Sequence, residues 1–79
     1  MRVYTIKQQR PSGMCRVEYD NGDVYDGFFN DHGRNGLGKL SHDDESIECG
    51  YWGNDKLLTS IPIEEYEKEV NKIENGLYH

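Results

Sequence analysis

Two cysteines, three histidines and several clusters of carboxylates are the side chains here with the chemistry to act on a substrate or hold an ion. His32, His42 and Cys49, with the acidic run Asp43-Asp44-Glu45, carry metal-ligating donor atoms. Their spacing fits no zinc pattern, no Cys-x-x-Cys pair occurs, and the acidic run lacks the order of a calcium loop. The run reads instead as a solvated hairpin turn. Cys15 and Cys49 could be nucleophiles, but neither has a histidine nearby in sequence, and both read as small buried thiols. Asp20, Asp23 and Asp26 could act as paired carboxylates, yet they flank an exposed turn and read as turn-stabilising. Gly36-x-Gly38 lacks the Lys-Ser/Thr and the following helix of a phosphate loop. It reads as a backbone bend. These residues form no catalytic constellation.

The elements around them are easier to read. Glu18 to Phe29 is strand, tight turn, strand, with Asn21-Gly22 between alternating apolar residues, a strong hairpin signal. The pattern returns one period later. Gly27 and Phe29 match Gly50 and Trp52, Gly13 matches Gly36, and Cys15 matches Gly38, each 23 residues apart without a gap. A fixed period of this length marks a repeat array.

Register follows from burial. A two-residue turn at Asn21-Gly22 would mix apolar and charged residues on both faces. A three-residue turn, Asp20-Asn21-Gly22 with Gly22 left-handed, pairs Val17 with Tyr25. One face then holds Cys15, Val17, Tyr19, Tyr25, Gly27 and Phe29, and the other Met14, Arg16, Glu18, Val24, Asp26 and Phe28. In the second copy Glu45 stands where Gly22 stands. A left-handed non-glycine costs about 1 kcal/mol, so that turn is expected to differ.

These glycines and aromatics resemble the MORN repeat (membrane occupation and recognition nexus), whose pattern is roughly G-x-G, a strand, D-G, then Y-x-G-x-W. The copy Gly13 to Asn35 keeps Asn21-Gly22, Tyr25, Gly27 and an aromatic at Phe29 but has Cys15 for one glycine. The copy Gly36 to Leu58 keeps Gly36, Gly38, Gly50 and Trp52 but has Glu45 for the turn glycine and Glu48 for the tyrosine. Running the period backwards places Ile6 at the aromatic position, so Val3 to Lys7 is the last strand of a half repeat. The resemblance covers about residues 1–58. It implies a curved sheet whose aromatic–glycine face can bind a helix or peptide, and scaffold or adaptor roles, some at membranes.

Composition narrows the partners. Residues 1–39 carry six basic and five acidic side chains, and residues 40–79 three basic and ten acidic. Phosphate backbones and anionic lipids are repelled by the second half, so neither nucleic acid nor a membrane is an expected partner. No apolar run is long enough to span a bilayer. Met1 to Thr5 lacks the apolar core of a signal peptide, and the two cysteines fit a reducing, cytoplasmic setting.

In chain order, strands are expected at Val3–Ile6, Met14–Tyr19, Asp23–Phe29, Leu37–His42 and Ser46–Trp52. Asn30–Gly36 is read as a loop, and Gly53-Asn54-Asp55 closes the second hairpin. A helix follows over Pro62–Glu74, capped by Ser60 and stopped by Asn75-Gly76. Ile63, Tyr66, Val70, Ile73 and Leu77 form its apolar stripe. The expected fold is one domain over residues 1–79. It is mainly β, a single-layer antiparallel sheet of about five strands (1–58) with one C-terminal amphipathic helix (59–79).

The helix is expected to dock, in cis or swapped, on the face with Val17, Tyr19, Tyr25, Phe29, Leu40 and Trp52. Tyr19, Tyr25, Gly27, Phe29, Gly50 and Trp52 are thus the candidate docking residues, for the helix or a partner. No catalytic, cofactor or metal residues are assigned. The expected function is a non-catalytic protein–protein interaction module, with edge pairing or helix swapping as routes to a homodimer. The alternatives are a small acidic, antitoxin-like inhibitor that covers a basic surface of an enzyme or nucleic-acid-binding partner, and a small-ligand or metal-dependent enzyme.

Overall fold

In the computed structural model, which describes residues 4–75, six antiparallel strands form one open sheet with a helix laid on it. The strands are β1 (Tyr4–Gln9), β2 (Met14–Tyr19), β3 (Val24–Asn30), β4 (Gly33–Ser41), β5 (Ile47–Gly53) and β6 (Lys56–Ser60), paired in sequence order; α1 is Ile63–Glu74. Val3, Gly76 and Leu77, which the sequence assigns to the first strand, the helix stop and the apolar stripe, lie outside the described residues.

The β2–β3 register is the one that burial predicts: Val17 pairs with Tyr25, Cys15 with Gly27 and Met14 with Phe28. The β4–β5 pair repeats it 23 residues on, with Leu40 opposite Glu48, Gly38 opposite Gly50 and Leu37 opposite Tyr51. The turns repeat as well. Tyr19 N–H donates to Asp23 O and Gly22 N–H to Tyr19 O; His42 N–H donates to Ser46 O and Glu45 N–H to His42 O. Asp23 N–H donates to Asn21 Oδ1, and Ser46 N–H to Asp44 Oδ1, each at 3.0 Å.

The turn at Glu45 was expected to differ, and it does not. Gly22 has φ 99° and Glu45 φ 74°. The flanking strand register and the Asp44–Ser46 bonds hold the turn closed against a strain of about 1–2 kcal/mol. A turn aspartate bonded to the hydroxyl and N–H of Ser46, 2.6 and 3.0 Å away, provides part of that hold.

Two expectations about the connections fail for one reason. Asn30–Gly36 is not a loop: β4 begins at Gly33, after a turn at Asp31-His32. A sixth strand, β6, follows the two-residue turn Asn54-Asp55, whose residues have φ 49° and 68°. Polar composition suggested loop in both places. Left-handed backbone makes both reversals tight, at Gly33 in the first and at Asn54-Asp55 in the second, so chain taken for loop enters the ladder.

The sheet has two apolar faces. The first buries Cys15, Val17, Tyr19, Tyr25, Leu40 and Trp52, with Phe29 and Leu57 against them. The second buries Met14, Leu37 and Cys49 together with Tyr66 of α1, and Phe28, Ile61, Ile63, Val70 and Ile73 pack around that cluster.

The helix therefore lies on the second face, opposite to the expected one. The first face closes over itself. Tyr25 is fully buried, and Trp52 and Tyr19 are 5% and 7% exposed with no helix over them. On the second face Met14, Leu37 and Cys49 are smaller and need a covering element. The chain also leaves β6 toward that side: Ile61 N–H donates to Cys49 O at 3.0 Å, and Ile61 joins the second cluster. Pro62 precedes the first helical turn without a side-chain cap; Ser60, expected to cap, is in β6. Tyr66 anchors α1, its hydroxyl donating to Asp26 O at 2.8 Å. Arg10 ties the far end, Nε to Glu74 Oε1 at 2.9 Å, with Asp26 at 3.5 Å.

Tyr66→Ala should destabilise by about 3 kcal/mol or more, and Tyr66→Phe by about 1 kcal/mol through the lost hydrogen bond. Urea melts followed by circular dichroism measure both, and equal effects of the two would contradict the anchoring role of the ring. Gly22→Ala should cost about 1 kcal/mol or more, since its Cβ would also press on Asp43 Oδ1 at 3.0 Å. In the same melts Glu45→Gly should raise the urea midpoint by relieving the equivalent strain.

Candidate functional site

The first face contains the principal candidate site. Its floor is built from Tyr25, whose hydroxyl donates to Phe28 O at 2.7 Å. Gly27 and Gly38 leave the room for its ring; a Cβ on either would collide with it. Burial pushes the Tyr25 hydroxyl pKa up, so it stays a neutral donor. Trp52 stands edge-on to Tyr25, with ring centres 5.8 Å apart, and its Nε1–H donates to Gly38 O at 3.0 Å. Phe29 and Tyr19 complete the aromatic cluster, and Tyr4 of β1 packs edge-on against both.

Of the six candidate docking residues, Tyr19, Tyr25, Gly27, Gly50 and Trp52 are buried and Phe29 is half-buried. They form a core, not a docking surface, and α1 touches the opposite face.

Above this core sits a polar layer in which His42 and Asp23, both candidates from the sequence, are joined by Glu48, Arg34 and Asp55. Arg34 is 7% exposed, with its guanidinium carbon 4.7 Å from the Trp52 ring centre and 5.8 Å from that of Tyr19. Its Nε donates to Asp55 Oδ1 at 2.6 Å and its Nη2 to Asp55 O at 2.9 Å. Beside it, His42 lies between two carboxylates. Nε2 is 2.5 Å from Glu48 Oε2 and Nδ1 is 3.2 Å from Asp23 Oδ2. Donation to the Glu48 carboxylate, with the charge of Asp23, outweighs the opposing effect of burial and raises the His42 pKa above its ordinary value.

The repeat explains the pocket. His42 and Glu48 occupy the positions that Tyr19 and Tyr25 fill one period earlier. Two smaller polar groups replace two rings, leaving a cavity of about 420 Å³ between Tyr19, Arg34, Leu40, His42, Glu48 and Trp52. Aligning the two copies was signal enough to find His42 and Glu48. Arg34 and Asp55 carried no such signal, because their pairing depends on the β3–β4 and β5–β6 turns.

Of the sequence-derived chemical candidates, His42 and Asp23 come together and the others lie apart. Asp26 is on the helix face, paired with Arg16 and Arg10. Asp20 is exposed in the first turn, while Asp23 bonds His42. His32 lies in the exposed β3–β4 turn and Cys49 beneath α1. Both thiols are free and buried, and burial raises the Cys49 pKa, which makes it a poor nucleophile. Gly36 and Gly38 lie within β4, Gly38 against the Tyr25 ring. Among the described residues no group of three His, Cys, Asp or Glu side chains is arranged to hold a metal ion. No family model, curated protein or solved structure matches the chain.

Arg34→Ala would leave Asp55 without its guanidinium and open the top of Trp52. It should destabilise by about 2 kcal/mol, discounted from a fully buried pair because the Asp55 side chain is 32% exposed. Arg34→Met, which keeps the stem over the indole, should recover part of that loss. A chemical melt followed through Trp52 fluorescence compares the variants, and no difference from wild type would contradict this account.

Proposed function

We propose that the chain is a non-catalytic protein–protein interaction module, a small MORN-like scaffold or adaptor that works through its sheet edges. The observation that carries this reading is where apolar surface remains exposed. Tyr4 and Ile6 lie on edge strand β1, 47% and 41% exposed. Leu58 lies on edge strand β6 at 70%, and Ile47 and Tyr51, 51% and 40% exposed, lie on the adjacent strand β5. Among the described residues neither edge has a further neighbouring strand, so each offers backbone donors and acceptors that a partner strand can satisfy while its side chains cover these residues. The two hairpins of identical register support the MORN resemblance. The two free thiols suit a cytoplasmic protein. Within the described residues no helix is long and apolar enough to cross a membrane.

A second reading rests on a separate observation. The turns 20–23 and 43–46 lie side by side, with Asp43 N–H donating to Asp23 Oδ1 at 3.3 Å. This gathers Asp20, Asp23, Asp43, Asp44, Glu45 and Glu48 at one end of the sheet, a surface suited to a basic partner. Binding there would weaken steeply with salt, whereas strand addition would not.

Affinity capture from the native source, with wild type, Ile6→Asp and Leu58→Asp as bait, tests the edge reading. Both substitutions are at exposed positions and should change stability by no more than about 0.5 kcal/mol. A partner held by wild type at 0.5 M salt and lost by one or both variants is the expected result. Retention by both variants, with release by salt alone, would favour the acidic end instead.

A further inference from the structure

His42 is held in a way that only its charged form satisfies. Its two ring nitrogens each face a carboxylate oxygen, Glu48 Oε2 at 2.5 Å and Asp23 Oδ2 at 3.2 Å. An imidazolium donates from both nitrogens. A neutral imidazole carries one N–H, so its other lone pair must point at a carboxylate oxygen. We propose that His42 is a proton-operated clasp that joins the two hairpins, closed when the imidazole is charged and half released when it is neutral.

The carboxylates belong to different repeats. Asp23 closes the turn of the first hairpin and Glu48 is on β5 of the second. The remaining charges around the ring add to the effect. Asp43, Asp44 and Glu45 share its turn, and Asp43 N–H also donates to Asp23 Oδ1. Arg34, Asp55 and Lys56 line the same cavity, where Arg34 is engaged by Asp55. Losing the proton from His42 therefore leaves an excess of carboxylates at this end, and their repulsion drives the turns apart.

The shorter Glu48 contact identifies which arm lets go. The neutral ring keeps its proton on Nε2 toward Glu48, and bare Nδ1 releases Asp23. The first turn then keeps only the Asp43 N–H bond as its side-chain tie to the second, and the cavity beside Trp52 widens on that side.

The direction with pH follows from the raised His42 pKa. Its contribution to stability is complete below about 6.5, the ordinary histidine value, and is lost as pH rises through the higher folded value. Glu48→Gln and Asp23→Asn should each weaken the hold on the proton, Glu48→Gln by more. The clasp does not depend on whether the protein binds a partner at its edges.

Trp52 is the only tryptophan and lines the same cavity as His42, so its emission reports on the clasp. The experiment records two-dimensional NMR of the imidazole rings and backbone amides, together with Trp52 emission, between pH 5 and 9. The expected result is a His42 midpoint above 6.5, followed at the same midpoint by the Gly22 and Asp43 amides and by Trp52 emission. Glu48→Gln should lower that midpoint. His42→Tyr, which installs the residue of the first repeat, should abolish the transition in the amides and in emission. His42→Gln serves the same purpose if the tyrosine variant does not fold. A wild-type midpoint at or below 6.5 would overturn the proposal. So would a His42 titration that leaves the Gly22 and Asp43 amides and Trp52 unmoved.

Discussion

The ring of Tyr25 constrains the whole sheet. It is fully buried within a single-layer sheet, so the backbone itself must make room for it. Gly27 beside it and Gly38 on the adjacent strand supply that room, and the hydroxyl reaches back to Phe28 O. Trp52 then packs edge-on to the ring and hydrogen-bonds the Gly38 carbonyl. The aromatic–glycine pattern in the sequence is thus the record of one packing relation: a large ring on one strand over a missing side chain on the next. Because the relation spans β3, β4 and β5, it joins the two hairpins into one sheet.

This packing decides where the remaining elements can go. Once the first face is filled by its own rings and covered by Arg34, it has no need of the helix. The second face has the smaller side chains Met14, Leu37 and Cys49, and α1 completes it with one large residue, Tyr66. Each face is therefore a small core with a different solution: self-packing aromatics on one side, a borrowed helix on the other. For a chain of this length, using both faces of one sheet increases the apolar area removed from water, where a one-sided sheet would leave half its surface wet. Surplus apolar surface remains on β1, β5 and β6, at Tyr4, Ile6, Ile47, Tyr51 and Leu58.

The second repeat differs from the first where polar chemistry appears. Replacing two tyrosine positions with His42 and Glu48 removes ring volume and introduces groups that must satisfy each other. Asp23, reaching over from the first repeat, completes the arrangement. The polar layer exists because the array is imperfect, and local departures from a repeating pattern are where functional constraints tend to lie.

Much of this was written in the sequence. The alternation of Cys15, Val17 and Tyr19 against Tyr25, Gly27 and Phe29 allows one register that keeps apolar residues together, and the structure adopts it, because a one-residue slip would invert every side chain. The steps of three and four from Ile63 to Ile73 likewise place α1 to within a residue. What the sequence could not decide was which face the helix covers, since both faces carry apolar residues. That choice depends on how completely Tyr25, Tyr19 and Trp52 fill their own side in three dimensions. Nor could it reveal the left-handed Glu45, where the strand register overrides a local preference worth only about 1–2 kcal/mol. The pairings of Arg34 with Asp55 and of His42 with Asp23 join residues 21 and 19 positions apart. Local periodicity carries no information about such contacts; they arise only when the turns bring strand ends together.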